Sequence, residues 1–255
     1  MTRLSFGFFL QIMPSHMLPI ALVCGLLHLA GSPPQKPADS GALEAVLKTM
    51  DSTSTSFRAT QADFEWDRYE KVIGEIIDVQ TGTIYYRRAG KDIEMMADIR
   101  KAGSSAEELK PEPKYVLFSG GKIRMYQPKP DQLTIYDLGK NNADFESYLV
   151  LGFGGSGQDL IKAFDVTYLG PETIGGVNTG KLQLVPKSEK VRNTFKQILL
   201  WIDLQRGISV QQQFFEAQGD YRLAKYSNIQ VKDKIANEVF QLKTTGKTQT
   251  ISHGG

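Results

Sequence analysis

From residue 57 onward the sequence is a succession of short runs rich in β-branched and aromatic residues, bounded by Gly, Pro, Asn or Asp, with no helical segments alternating between them. Such a pattern selects antiparallel pairing, because parallel strands need a long crossover that is usually helical. The runs lie at 57–66, 83–88, 93–99, 115–119, 123–126, 133–138, 166–169, 181–185, 195–203, 209–217, 221–229 and 239–242. Gly120-Gly121 between two of them is a two-residue hairpin signal, and residues 128–131 form a second turn. Two stretches break the pattern. Ala42, Leu43, Val46, Leu47 and Met50 recur at helical spacing, with Glu44 and Lys48 between them, which predicts an amphipathic helix of about three turns. Residues 144–164 predict two short helical pieces around a glycine hinge, carrying Phe145, Leu149, Leu151, Leu160, Ile161 and Phe164. The expected fold is mainly β with helices: a single curved antiparallel sheet of about eleven strands, an unclosed half-barrel. Its helices are too few to sheath it from outside, so their apolar stripes are expected as a lid over the concave face.

The N-terminus carries a different signal. Arg3 precedes an apolar run at 18–30 that ends in Ala30, Gly31 and Ser32, the composition of an export signal. The run is shorter than the roughly 20 apolar residues of a membrane span, and Pro14, Ser15 and His16 interrupt the stretch before it. An uncleaved anchor is the alternative, since Pro33 follows directly on Ser32. Val23 argues against lipid modification of Cys24, where a small preceding residue would be needed. Residues 1–32 are therefore read as signal, 33–41 as a Pro/Ser/Gly-rich linker, 42–245 as the folded domain and 246–255 as a flexible tail.

This division removes chemistry from the domain. Cys24 is the one cysteine, and with His16 and His28 also in the signal the remainder keeps only His253. Neither a Ser-His-Asp triad, nor a Cys-His pair, nor a common zinc site can then be assembled. No catalytic residue, metal or cofactor is expected, although distant carboxylates could still converge in a groove. A net charge of +2 with both signs interspersed lacks the basic stripe of a nucleic-acid binder, and 41% hydrophobic residues suffice for a core.

Several segments in order resemble the periplasmic lipoprotein carriers of the LolA family, over residues 42–242. They are the N-terminal helix leading into Ser56-Phe57-Arg58-Ala59, then Gly82-Thr83-Ile84-Tyr85-Tyr86-Arg87-Arg88, Ser119-Gly120-Gly121-Lys122 and Tyr126-Gln127-Pro128. After the hinge come Leu182-Gln183-Leu184-Val185-Pro186-Lys187 and a closing hairpin at 202–214. The resemblance implies an unclosed eleven-stranded barrel capped by helices, with the acyl chains of lipoproteins or related lipids in an apolar cavity beneath. It implies a periplasmic, monomeric carrier that acts as a chaperone between an inner-membrane ABC-type release complex and an outer-membrane receptor. It also implies an arginine at a strand end that bonds the lid backbone, matched here by Arg88, although Ala89 stands where Pro is usual. Strand alternation groups Ile84, Tyr86 and Arg88 on one face against Thr83, Tyr85 and Arg87 on the other, so one arginine alone looks into the cavity. The expected cavity and lid residues are Ile84, Tyr86, Phe145, Leu149, Leu151, Leu160, Ile161, Phe164, Ile198, Leu200 and Ile202. A lipid-sensing regulatory or receptor module of the same fold is the competing reading.

Two sharper motifs yield to plainer ones. Residues 152–157 are glycine-rich, but no Gly-Lys-Ser/Thr follows, so a hinge or loop is expected rather than a phosphate cradle. Ser119 and Lys122 have the spacing of some acyl-transfer enzymes, whose serine opens a helix; here the glycines between them specify a hairpin.

Overall fold

The computed structural model describes residues 40–89, 92–139 and 151–254. The expected signal, the linker up to residue 39, and Phe145 and Leu149 lie outside the described residues.

Helix α1 (Ser40–Ser56) opens the domain and buries Val46, Leu47 and Met50, the stripe its periodicity predicts. It runs past Met50 through a Ser/Thr-rich end, where Ser54 and Thr55 donate to the carbonyls of Asp51 and Ser52. Thr53 instead donates to the Arg206 carbonyl at 2.7 Å, tying the helix end to a distant turn.

The strands are β1 (Ala59–Glu70), β2 (Glu75–Ala89), β3 (Asp92–Gly103), β4 (Lys110–Ser119), β5 (Lys122–Gln127), β6 (Gln132–Asp137), β7 (Phe164–Ile174), β8 (Val177–Pro186), β9 (Phe195–Asp203), β10 (Ser209–Glu216), β11 (Tyr221–Lys232) and β12 (Gln249–His253). They form one open sheet in the order β12-β6-β5-β4-β3-β2-β1-β11-β10-β9-β8-β7, antiparallel except for β12 on β6. The hairpin at Gly120-Gly121 has positive φ at both residues (58° and 69°), the conformation that matches the twist of its strands. The Ser-x-x-Lys pair is correspondingly split: Ser119 donates to Glu94 at 2.6 Å and Lys122 pairs with Asp137 at 3.0 Å.

Short helices α2 (Gly157–Ala163) and α3 (Glu189–Arg192) complete the regular structure, with 3-10 turns at Ala106–Glu108 and Asn237–Phe240. Of residues 239–242, expected as a strand, Val239 and Phe240 belong to that second turn and Gln241 and Leu242 follow it without regular structure. The reason lies in the topology: β11 already has β1 and β10 on its two sides, so the chain after it finds no free edge nearby. It crosses the outer face instead, where Phe240 packs on Met96 and Leu117. It then reaches the β6 edge, so that residues 249–253, in the stretch expected as a flexible tail, pair as β12. His253 stacks there on Tyr136, rings 4.8 Å apart.

Candidate functional site

The sheet register makes one continuous inner face. Leu182, Leu200, Gln212, Ala224, Trp66 and Gln80 are cross-strand partners in successive pairs from β8 to β2 and therefore point the same way. This face carries two apolar clusters. The first lies on β7 to β9, where Phe164, Leu182, Leu184, Phe195, Ile198, Leu200 and Ile202 receive Val46, Leu47 and Met50 of α1, Leu160 of α2, and Leu151. The second lies on β1 to β6 and includes Phe64, Ile84, Tyr86, Met95, Ile99, Phe118 and Tyr136. Among the described residues, Phe57 and Phe153 are its two buried members from outside the strands and the strand-end Leu138. Phe57, expected as the first residue of a strand, thus precedes β1 and is buried on the inner face.

The predicted residues therefore do not gather in one group. Ile84 and Tyr86 belong to the β1–β6 cluster, while Leu151, Leu160, Phe164, Ile198, Leu200 and Ile202 belong to the helix-filled one. Ile161 belongs to neither and is exposed. Helix α2 turns a single face, Gly157 and Leu160, toward α1, and a neighbour along the helix sits about 100° away. Phe164 begins β7 rather than ending a helix.

Between the two clusters a loop of residues 151–156 is tied to the sheet at consecutive points. The Gln212 side chain, buried on β10, donates to the Leu151 carbonyl. The Ser209 N–H, which faces away from β9 at the start of β10, before the pairing with β11 begins at Gln211, donates to the Gly152 carbonyl at 2.7 Å. Arg88 donates to the Gly154 carbonyl at 2.8 Å. Phe153 fills the space between these ties, stacked on Tyr86 at 4.8 Å and edge-on to Tyr226 at 4.7 Å. Gly154 has φ +78° and its Cα faces the Phe57 ring so closely that a Cβ would lie 2.4 Å from Cδ1, so no larger residue fits this path. At the following helix start Ser156 accepts from the Asp159 N–H at 3.0 Å, and Asp51 of α1 accepts from the Gln158 N–H at 3.1 Å. These satisfy two of the orphan donors of α2 and join it to α1.

The two neighbouring arginines have opposite surroundings. Arg88 follows Ile84 and Tyr86 on the inner side and reaches the loop. Arg87 lies on the outer side, paired with Glu94 at 2.6 Å, donating to Asn237 at 2.7 Å and stacked 4.1 Å from the Phe240 ring centroid. Sequence reasoning singled out Arg88 but missed Phe153, Ser209 and Gln212. The signal available was Gln212 itself, a polar residue that alternation from Phe214 places on the inward face.

Electrostatically the middle of the inner face is neutral. Burial pushes the hydroxyls of Tyr86 and Tyr226 well above the ordinary tyrosine range, so both stay protonated. Charges gather at the end of the face remote from Arg88, around Asp78, Lys114 and Arg222. Burial raises the Asp78 carboxyl and lowers the Lys114 and Arg222 cations. Among the described residues, no group of three or more His, Cys, Asp or Glu is placed to hold a metal, and no helix is long and apolar enough to cross a membrane.

The architecture is an unclosed barrel with helices over its inner face. Among solved structures it is similar to an uncharacterized conserved protein from Thermus thermophilus, with a TM-score of 0.50 and 11% identity over 83% of this chain and 99% of that one. A crystal structure of MucB aligns at a TM-score of 0.48 and 12% identity, over 82% of this chain but 65% of that one. A LolA superfamily protein from Nitrosomonas europaea aligns at 0.37 and 12% identity, over 78% of this chain and 97% of that one. At such identities the first likeness bears on the fold alone, and the other two carry no argument about function. No family model matches the chain, and no curated protein does.

Proposed function

We propose that this protein is a non-catalytic periplasmic carrier that shelters the acyl chains of lipoproteins or related lipids on the inner face of its half-barrel. The observation that supports the reading is the seam loop, whose carbonyls at Leu151, Gly152 and Gly154 are each held by a single sheet donor while Phe153 occupies the apolar wall. Such bonds exchange for water at about 0.5–1.5 kcal/mol each, and about 1.5–3 kcal/mol where a charge is involved. Lifting the loop thus costs a few kcal/mol, and an acyl chain returns about 0.8 kcal/mol for each methylene that replaces Phe153 against the wall. One long chain contributes about 10 kcal/mol by the same figure, and two would already reach the noncovalent ceiling of about 18–21 kcal/mol. A carrier that must release its cargo needs an opposing term of this kind. In this reading Arg88 is the latch, and the resemblance supplies the route: loading at an inner-membrane ABC-type complex and delivery to an outer-membrane receptor.

Mass spectrometry of the natively purified protein tests it, comparing wild type with Arg88→Leu for co-purifying lipid or acylated protein. Cargo that accumulates in the variant is the expected result. Empty protein in both forms overturns the carrier reading, and lipid that never transfers to acceptor vesicles points to a sensing module.

A further inference from the structure

Where β1 begins, β2 ends and the chain leaves β11, a pocket of about 400 Å³ opens at the sheet rim, within the usual range of small-ligand sites. Arg58, Arg87, Arg88 and Lys234 line it, against the single carboxylate of Asp233. The four cations are not equally engaged. Arg87 is neutralised by Glu94 and held by Asn237. Among the described residues, Arg58 bonds backbone carbonyls alone, those of Thr55 and Phe57, through one of its nitrogens. Arg88 spends one nitrogen on the Gly154 carbonyl, leaving further donors of its planar fork. Among the described residues, Lys234 has no carboxylate within ion-pair distance.

We infer that this pocket is a site for a phosphate-type anion, the group that guanidinium forks and a nearby ammonium bind best. The pocket shares Arg88 with the loop over the inner face, so a bound anion sits at the rim while an acyl chain lies beneath the loop. Resting on the carrier reading, this narrows the cargo to acyl lipids with an anionic phosphate head; the same chemistry would admit free phosphate.

Phosphorus NMR titration of the full chain tests it with three probes: inorganic phosphate, glycerol 3-phosphate and dihexanoyl phosphatidylglycerol. All three are expected to bind wild type, and the double variant Arg58→Ala/Lys234→Ala to bind each at least about tenfold more weakly. Arg58→Lys/Lys234→Arg, which keeps the charge, restores binding and separates the effect from misfolding, as does an unchanged circular dichroism spectrum. Binding in wild type should also weaken as salt rises. A lipid that binds much more tightly than the two soluble phosphates identifies the source as a headgroup; equal affinities identify free phosphate. An unaltered double variant, or no binding of any probe, overturns the site. A neutral monoacylglycerol, which carries no phosphorus, is titrated alongside by isothermal calorimetry. If it fails to bind and the phospholipid binds no more tightly than the two soluble phosphates, the carrier reading breaks and the site stands; if it binds while no phosphate probe does, the site alone breaks.

Discussion

The two halves of the inner face are built from the same strand chemistry but are covered differently. Over β7 to β9, two helices insert Val46, Leu47, Met50 and Leu160 among wall residues such as Leu182, Leu184 and Leu200, which are fully buried. That is an ordinary close-packed core, and exchanging its contents would disrupt the fold. Over β1 to β6, a wall at least as extensive receives Phe57 and Phe153, the latter on a loop tied through carbonyls. The difference teaches that covering an apolar face and anchoring the cover are separable. The helices are anchored by what they bury, whereas the loop is anchored by hydrogen bonds that water can replace.

The sharpest way to break this comparison is truncation in each half. Leu200→Ala, in the helix-filled half, should cost about 2–5 kcal/mol in urea unfolding. Phe153→Ala should cost under about 2 kcal/mol, less than the usual figure for a core Phe, because its loop can settle into the space. Equal losses would show that both halves are conventional core. Gly154→Val comes next: a side chain at φ +78° facing the Phe57 ring should destabilise by about 1–3 kcal/mol. Hydrogen exchange should place that loss in residues 151–156 rather than throughout the sheet.

The arginine pair sharpens the contrast further. Arg88→Leu and Arg87→Leu should each cost about 1–2 kcal/mol. Only the first should raise uptake of a neutral acyl probe, since Arg87 braces the outer face. Similar uptake in both variants would sink the distinction. The smallest effect belongs to Asp159, whose carboxyl the Ser156 hydroxyl, and then Lys162, hold below the ordinary range. A depressed pKa contributes stability that is present above about pH 4 and lost as pH falls through the depressed value. Asp159→Asn should therefore cost about 0.3–1 kcal/mol at neutral pH, with the gap to wild type closing in acid. Thermal melts across that range read it.

Much of the fold was legible because its signals are local. The stripe of α1 and the hairpin at Gly120-Gly121 each follow from residues a few positions apart. What lay outside the reach of local signals required topology. Residues 239–242 carry strand-forming side chains, yet the sheet has no free edge beside β11, and β12 pairs in parallel with a strand more than a hundred residues upstream. For the candidate site, Arg88 was visible as the end of an alternating strand. Ser209 acts through a backbone N–H at a strand start that the neighbouring β11 does not reach, and no residue type encodes that. Gln212 was readable only once its strand's inward face was fixed, and Ile161 was misassigned because adjacent apolar residues on a short helix cannot share one face.

The pairing of β1 with β11 has a consequence in time rather than space. Strands β1 to β6 and β7 to β11 are two meanders whose neighbours are consecutive in the chain and can zip as successive hairpins. The β1–β11 ladder joins them across a great distance in sequence: Glu65 and Lys225, paired there, are 160 residues apart. Closing so long a loop is slow, so the continuous inner face should be completed late, after both meanders exist. Until then each meander presents an unpaired central strand edge, and during that interval the chain is most exposed to pairing with another copy of itself.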